Sequence, residues 1–431
     1  MQIQQTNGTQ LKMRRDGISF INKLFKYLFY TQFSLIALLV IFLTLRAVLS
    51  AAHAHHFHPK KWYLPVLSSI ACAGIVGFSW QAFTSFIPSR TFKAAFWLSP
   101  LFTCGYGILL VSIGTPGSLA ASVITLVSSV LQSIYACWVI PRIKHAIKIV
   151  TVSIAYNPPK VKATVLLTIV TCTLYSALLM SGIRGATATT TRTKVDILFV
   201  FIILVSFTWT MQIVKNMMQV TVSHIKYMQF ASGVELDFNA VVKDAAKYSM
   251  GSICIGSILI PVLVVVRGLA RAVSLVSGDV DEFMFSCANC CAGVASSIVA
   301  YVNRWGFVYV GAYNKGIVQA SMDTWEMFRR VEMEKLIDSD LTSSYCFLCG
   351  MATGSICALV GGTWALFVEK TYATEVSIYT FLIGYFMSRV AMAWVQASIA
   401  AYYVAYAENP ESRQFDNTIP DYIRELQRSQ V

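Results

Sequence analysis

Long apolar runs alternate with short polar, often basic segments along most of the chain. Ala163–Met180 and Ser118–Ile140 carry no charge, and Tyr345–Val368 is a third run of the same kind. A hydrocarbon core ~30 Å thick needs roughly 20 apolar residues per helical crossing. About ten runs meet that length, at roughly 31–51, 62–86, 94–113, 117–140, 163–183, 196–222, 249–266, 285–310, 344–368 and 375–406. The runs are continuous, without the period-two alternation of barrel strands, which argues against a β-barrel. The pattern predicts an all-α integral membrane protein with about ten transmembrane helices in one bundle. Gly114, Pro116 and Gly117 predict a tight turn between the third and fourth runs, and Asn157-Pro158-Pro159 a loop between the fourth and fifth. No internal repeat interrupts this plan.

Orientation follows from the basic residues between the runs. With the N-terminus in the cytoplasm, cytoplasmic segments hold about 23 Lys and Arg and the opposite side about 8. The asymmetry predicts that both termini are cytoplasmic, as tails 1–30 and 408–431 around a transmembrane domain of residues 31–407. Arg267 and Arg271 run against the count, so the seventh run is expected to continue as an interfacial helix or the eighth to cross incompletely. Val48-Leu49-Ser50-Ala51-Ala52-His53-Ala54 resembles a small-residue cleavage site, but the basic lead before it is long for a secretory signal. An uncleaved first helix is expected.

Within 311–342, Ile317, Ala320, Met322, Trp325, Phe328 and Val331 recur at roughly helical spacing, and Asp323, Glu326, Arg329, Arg330, Glu332 and Glu334 occupy much of the remaining surface. This predicts an amphipathic helix, either along the cytoplasmic interface or packed on the bundle.

Composition supports the membrane reading: 56% of the 431 residues are hydrophobic and only 13% are charged. The formal charge of +13 would suit nucleic acid, but the basic residues flank apolar runs and form no stripe with stacking aromatics. Membrane lipid, not nucleic acid, is the expected partner. The eleven cysteines sit mostly inside or at the edges of apolar runs, as small apolar side chains rather than a disulfide framework.

No enzyme motif is present: no phosphate-binding loop, no HExxH and no GxSxG. No catalytic residue, cofactor or metal is expected. His53, His55, His56 and His58 crowd the first outside loop, a density that suits a borderline metal or a pH response but also a plain polar turn. Cys287/Cys290/Cys291 and Cys346/Cys349 have CxxC spacings, yet both lie in apolar surroundings where packing is the simpler account. Arg46, Lys215 and Arg389 fall within predicted spans, where charge faces the bundle interior, a wet cavity or a headgroup. Arg46 and Arg389 are candidates for gating or for structural pairing. Asp196, opening the sixth run, is expected at the interface. Aromatic residues are abundant. A quaternary ammonium group makes no ordinary hydrogen bond and is recognised by aromatic faces; Trp80, Trp97, Trp209 and Tyr301 are the candidates for such a cage.

Tyr248-Ser-Met-Gly251-Ser252-Ile-Cys254-Ile-Gly256-Ser257 resembles a recurring stretch of the choline transporter-like family. Tyr301-Val-Asn303-Arg304-Trp-Gly-Phe307-Val-Tyr309-Val-Gly-Ala312-Tyr313-Asn-Lys315-Gly316 is similar to its second signature, followed by Ser321–Phe328 as in the family. Asn216, in Val214–Thr221, and the ending Tyr406-Ala-Glu408-Asn409-Pro410-Glu411 match further. These matches run from about residue 205 to 412, roughly half the chain. The first outside loop, about ten residues, departs from the long cysteine-rich loop of animal members and is closer to the fungal and plant-like branch. The resemblance implies a ten-helix plasma-membrane transporter with cytoplasmic termini that moves choline or a related small organic cation. Alternating access around a site near the midplane is the expected mechanism. Asn303 and Arg304 are then candidates for substrate contact or for bonding and capping between helices, and Gly251 and Gly256 for close helix contact. A channel or pore, and a scaffold or trafficking protein that does not transport, are the alternatives. Nothing in the pattern specifies an oligomeric state.

Overall fold

Proline and its neighbours set where the helices begin. Four described helices open on proline: α2 (Pro59–Phe86), α3 (Pro88–Ile113), α4 (Pro116–Ile154) and α5 (Pro159–Ala186). The missing N–H is harmless there and the fixed φ suits a first helical turn. The turn between α3 and α4 is built as its sequence predicts. Gly114 ends α3 at φ 73°, and Thr115 caps α4 by accepting from the Ser118 N–H while Ser118 accepts from Thr115.

The computed structural model describes residues 2–53, 59–155, 159–187, 194–276, 301–411, 415–416 and 418–428. The remaining elements are α1 (Gln2–His53), α6 (Lys194–Ser232), α7 (Phe238–Asp244), a π turn (Ala245–Ser249), α8 (Met250–Val276), α9 (Gly306–Tyr313), α10 (Ile317–Arg330), α11 (Glu334–Asp338), α12 (Thr342–Val368), α13 (Lys370–Ala391), α14 (Ala393–Glu408) and α15 (Thr418–Arg428). Among the described residues there is no strand, and nine segments are long and apolar enough to cross a membrane. The eighth predicted run, 285–310, falls mostly on residues 277–300, outside the described residues. So do Cys287, Cys290 and Cys291, and His55, His56 and His58 of the histidine cluster.

Two run boundaries, the end of the fourth run at 140 and the unbroken last run, shift in detail. Arg142, Lys144 and Lys148 lie on a continuation of α4, not in a loop, because no glycine or proline pair stops the helix before Asn157-Pro158-Pro159. The last predicted run is two helices, α13 and α14, separated at Met392.

The chain divides into two compact units: Met1–Thr31, Asn216–Ile337 and Ala400–Asn417 form one, and Gln32–Lys215, Asp338–Ile399 and Thr418–Val431 the other. In the second unit α12 and α13 make the most extensive helix pair, and α12 also packs on α2 and α3. Gly354 and Gly384 let these two backbones approach: a Cβ on either would lie 2.8 Å from a carbonyl oxygen of the other helix. Hydroxyls buried among these helices bond back to their own helix, as Thr103 does to Ser99 O at 2.8 Å and Ser176 to Cys172 O at 2.7 Å. Each such bond spares its hydroxyl a need for water. The outward faces are as apolar as the core. On α5, Leu167 and Leu174 are 65% and 67% exposed, whereas Val165 and Ile169 are buried. Such a surface needs lipid as its solvent.

In the first unit the π turn joins α7 to α8. Gly251 on α8 backs onto the Asn22 carbonyl, and a Cβ on Gly256 would lie 2.8 Å from the Phe307 ring. α10 buries Ile317, Ala320, Ser321, Thr324 and Phe328 and exposes Glu326, Arg329 and Arg330. It is shorter than the polar insertion around it. Asn314 (φ 51°) ends α9 before it, and Glu332 (φ 56°) follows it in the left-handed region.

Candidate functional site

Segments far apart in sequence are tied together inside the first unit by hydrogen bonds. Asn216 on α6 donates to Ser257 Oγ on α8 at 2.8 Å. Gln219, one turn on, donates to the Arg304 carbonyl at 3.3 Å. Asn303 works in three directions. Its Oδ1 accepts from the Gly306 N–H (2.9 Å), its Nδ2 donates to Ser321 O (3.0 Å), and its backbone N–H donates to Ser321 Oγ (3.0 Å). Asn303 therefore caps the start of α9 and clamps it to α10, which meets the demand of an otherwise unsatisfied first-turn N–H. Arg304 lays its guanidinium 4.2 Å from the Trp305 ring centre, and Trp305 meets Phe328 and Tyr403 edge to face.

The same unit holds a pocket of about 220 Å³ lined by Tyr227, Phe230, Ala231, Ala405, Glu408, Asn409 and Phe415. The C-terminal ends of α6 and α14 supply all of these but Phe415 and Asn409, and Asn409 directly follows α14. Aromatic packing fixes the wall. Phe230 meets Tyr402 at 5.4 Å and Phe415 at 6.4 Å, and Tyr406 meets Phe415 edge-on at 5.4 Å. Tyr402 donates to Asp416 at 2.9 Å, which anchors the segment that carries Phe415. Glu408, exposed at the mouth, accepts from the Tyr227 hydroxyl and from Tyr313 at 3.4 Å, and the two tyrosine oxygens are 2.7 Å apart. Two hydroxyl protons thus serve three contacts around one carboxylate. The cavity is smaller than the ~300–1,000 Å³ typical of drug-sized ligand sites. Aromatic faces and one carboxylate in so small a space suit a compact cation.

The residues singled out from sequence have varied surroundings. In the second unit, Trp80 on α2 is buried (8% exposed), Trp97 on α3 is 55% exposed, and Trp209 on α6 is half-buried. Tyr301, in the first unit, is half exposed just before α9. None of these four lines the pocket. Arg46 on α1 pairs with Asp196 on α6 at 3.2 Å, with Asp196 almost fully buried. Arg389 on α13 is half-buried, its stem against Gly350 of α12. Cys346 and Cys349 are buried in α12.

Tyr227, Phe230 and Phe415 escaped the sequence reading. A signal for two of them exists: Tyr227 and Phe230 are one helical turn apart just beyond the sixth apolar run, on a helix that continues to Ser232. Nothing local pairs them with Phe415.

Fold and pocket together define a multi-pass helical membrane protein that presents an aromatic, acidic cavity at two helix ends. Residues 123–411 match the family described as plasma-membrane choline transporter, and the chain belongs to that family. Among relatives, Protein PNS1 of Debaryomyces hansenii is 25% identical over 245 residues, which is 50% of this chain and 47% of that protein. Protein PNS1 of Gibberella zeae is 26% identical over 199 residues, 44% of this chain and 37% of the relative. Protein PNS1 of Saccharomyces cerevisiae is 24% identical over 211 residues, 44% and 39% respectively. The chain thus spans about half or less of the length of the curated relatives it matches. The segments that carry the family resemblance are the ones tied together above: Asn216 to Ser257, Asn303 to Ser321, and Tyr313 to Glu408.

Proposed function

We propose that this protein moves choline or a related small organic cation across the plasma membrane by alternating access, without catalysis. The observation that carries the reading is the pocket formed by Tyr227, Phe230 and Phe415 beside Glu408. A quaternary ammonium ion gives up its hydration on entry. Aromatic faces return part of that energy, about 0.5–2 kcal/mol for each well-placed ring. Glu408 supplies the opposite charge; because it is exposed, screening holds its share to about 1 kcal/mol.

The excess of Lys and Arg in alternate loops supports a cytoplasmic side for both termini, and with them for the C-terminal ends of α6 and α14. On this reading the pocket is the inner station of the pathway, not a midplane site. The membrane potential then favours inward movement, by ~2.3 kcal/mol per charge per 100 mV.

The test is uptake of radiolabelled choline into proteoliposomes holding the purified protein. Saturable uptake is expected, with Glu408→Gln raising KM about fivefold. Absence of saturable uptake for choline and for other small amines alike would sink the reading.

A further inference from the structure

The aromatic cluster beside the pocket already holds a cation of its own. Lys315, in the turn between α9 and α10, places its ammonium 5.2 Å from the ring centre of Tyr309 and 5.5 Å from that of Tyr313. Those rings pack edge to face on each other at 5.1 Å, and Tyr227 meets both at 6.4 and 6.0 Å. The Tyr313 and Tyr227 hydroxyls both reach Glu408. A single cluster of three tyrosines therefore has a lysine ammonium on one side and the pocket carboxylate on the other. The ammonium is also held by Asp323 on α10, at 2.6 Å, and the second oxygen of Asp323 accepts from Gln319 at 2.6 Å. Lys315 is 39% exposed and Asp323 26% exposed, so neither is locked in the core.

We propose that Lys315 is a specificity-determining residue: a tethered ammonium held on Tyr309 and Tyr313, the rings packed on Tyr227 of the pocket wall, that opposes the incoming organic cation by its charge, while Asp323 restrains it. The proposal rests on the pocket being the cation site. Its physics is that of two like charges on either side of one packed group of tyrosines, whose Tyr227 and Tyr313 hydroxyls bond Glu408. A quaternary ammonium bound at Glu408 against Tyr227 repels the lysine on the neighbouring Tyr309 and Tyr313, so the lysine is driven toward Asp323 or into solvent. Asp323 makes that move cheap. Without its carboxylate, Glu408 becomes the lysine's anion of choice, and the tethered ion competes harder.

This gives effects of opposite sign from two neighbouring residues that touch each other. Lys315→Gln removes the opposing charge and leaves Asp323 bonded to Gln319, so affinity rises, about threefold for a screened repulsion. Lys315→Arg keeps the charge and stacks on the same rings, so affinity stays within about twofold. Asp323→Asn frees the lysine toward Glu408, and affinity falls about threefold. The double variant follows Lys315→Gln. Had the pair been only a structural clasp, both single substitutions would loosen the same turn and move affinity in the same direction.

The experiment is displacement of radiolabelled choline by unlabelled choline and by tetramethylammonium on the purified full chain in detergent, for wild type and the four variants. Tighter binding by Lys315→Gln, weaker binding by Asp323→Asn and a double variant like Lys315→Gln are expected. Unchanged or weaker binding by Lys315→Gln, with a wild type that binds, overturns the inference and leaves the proposed function standing. No binding by wild type or any variant overturns both. If Lys315→Gln yields no folded protein, Asp323→Asn decides alone: binding as tight as wild type refutes the competition.

Discussion

Asn303→Ala is the substitution whose cost can be worked out most directly from the structure. Asn303 is 5% exposed, so what its side chain leaves behind is not reached by water. Two bonds are lost. The Gly306 N–H stands in the first turn of α9, where a helix offers it no partner, and its bond to Asn303 Oδ1 is 2.9 Å long. Orphaning a buried donor costs about 1–3 kcal/mol. The second bond, to Ser321 O at 3.0 Å, ends on a carbonyl inside α10. A helical carbonyl keeps its own ladder bond, so this loss is nearer the ~1 kcal/mol of an ordinary hydrogen bond. The sum is about 2–4 kcal/mol. At roughly 2–4 °C per kcal/mol for domains of 150–250 residues, the melting point should fall by about 4–16 °C. The assay is tryptophan fluorescence on heating of the purified full chain in detergent. Asn239→Ala, at an exposed position on α7, is the control and should stay within about 0.5 kcal/mol of wild type. A melting point for Asn303→Ala no lower than that of the control would refute the reasoning and remove Asn303 as the clamp between α9 and α10.

Other outcomes follow from the same contacts. The Arg46–Asp196 pair should respond asymmetrically: Arg46→Gln takes the guanidinium away from a carboxylate only 3% exposed and should cost more than Asp196→Asn, which leaves an arginine 31% exposed that can reach a headgroup, at under about 1.5 kcal/mol. Equal melting shifts for the two would contradict this. Gly256→Ile drives a side chain into Phe307, 2.8 Å from where its Cβ must stand, and should lower stability by about 1–3 kcal/mol in the same thermal assay; a neutral result would mean α8 and α9 are not tightly packed. Phe230→Ala should weaken choline binding about fivefold but hardly change binding of 3,3-dimethyl-1-butanol, the uncharged analogue of the same shape. Equal losses for both would show that Phe230 acts through bulk, not through its π face.

The spans were legible because lipid imposes one strong rule, about 20 apolar residues without charge, and Ser118–Ile140 or Ala163–Met180 can satisfy it only as helices. The turn at Gly114–Pro116 was equally plain, since each residue there has one preferred place in a cap. Helix ends beyond the membrane were harder. The extensions of α4 to Ile154 and α6 to Ser232 carry lysines and polar residues that read as loop, and α4 also runs on through Pro141. The site was the least legible part. Tryptophans such as Trp97 drew attention by type, but a tryptophan 55% exposed on an apolar helix equally suits lipid contact. The pocket's rings come instead from α6 and the segment after Pro410, separated by about 185 residues along the chain, and only tertiary packing brings them together. Asn303 and Glu408 were visible through the segments they belong to, and Gly306 stands at capping distance from Asn303, but the partners Ser321 and Tyr227 are set by tertiary geometry.

The most direct measurement is a high-resolution structure of the full chain determined with saturating choline. Density for the quaternary ammonium among Tyr227, Phe230 and Phe415, with Glu408 alongside, is the expected result. Choline density at a different position, with those three rings and the carboxylate unoccupied, would contradict the account.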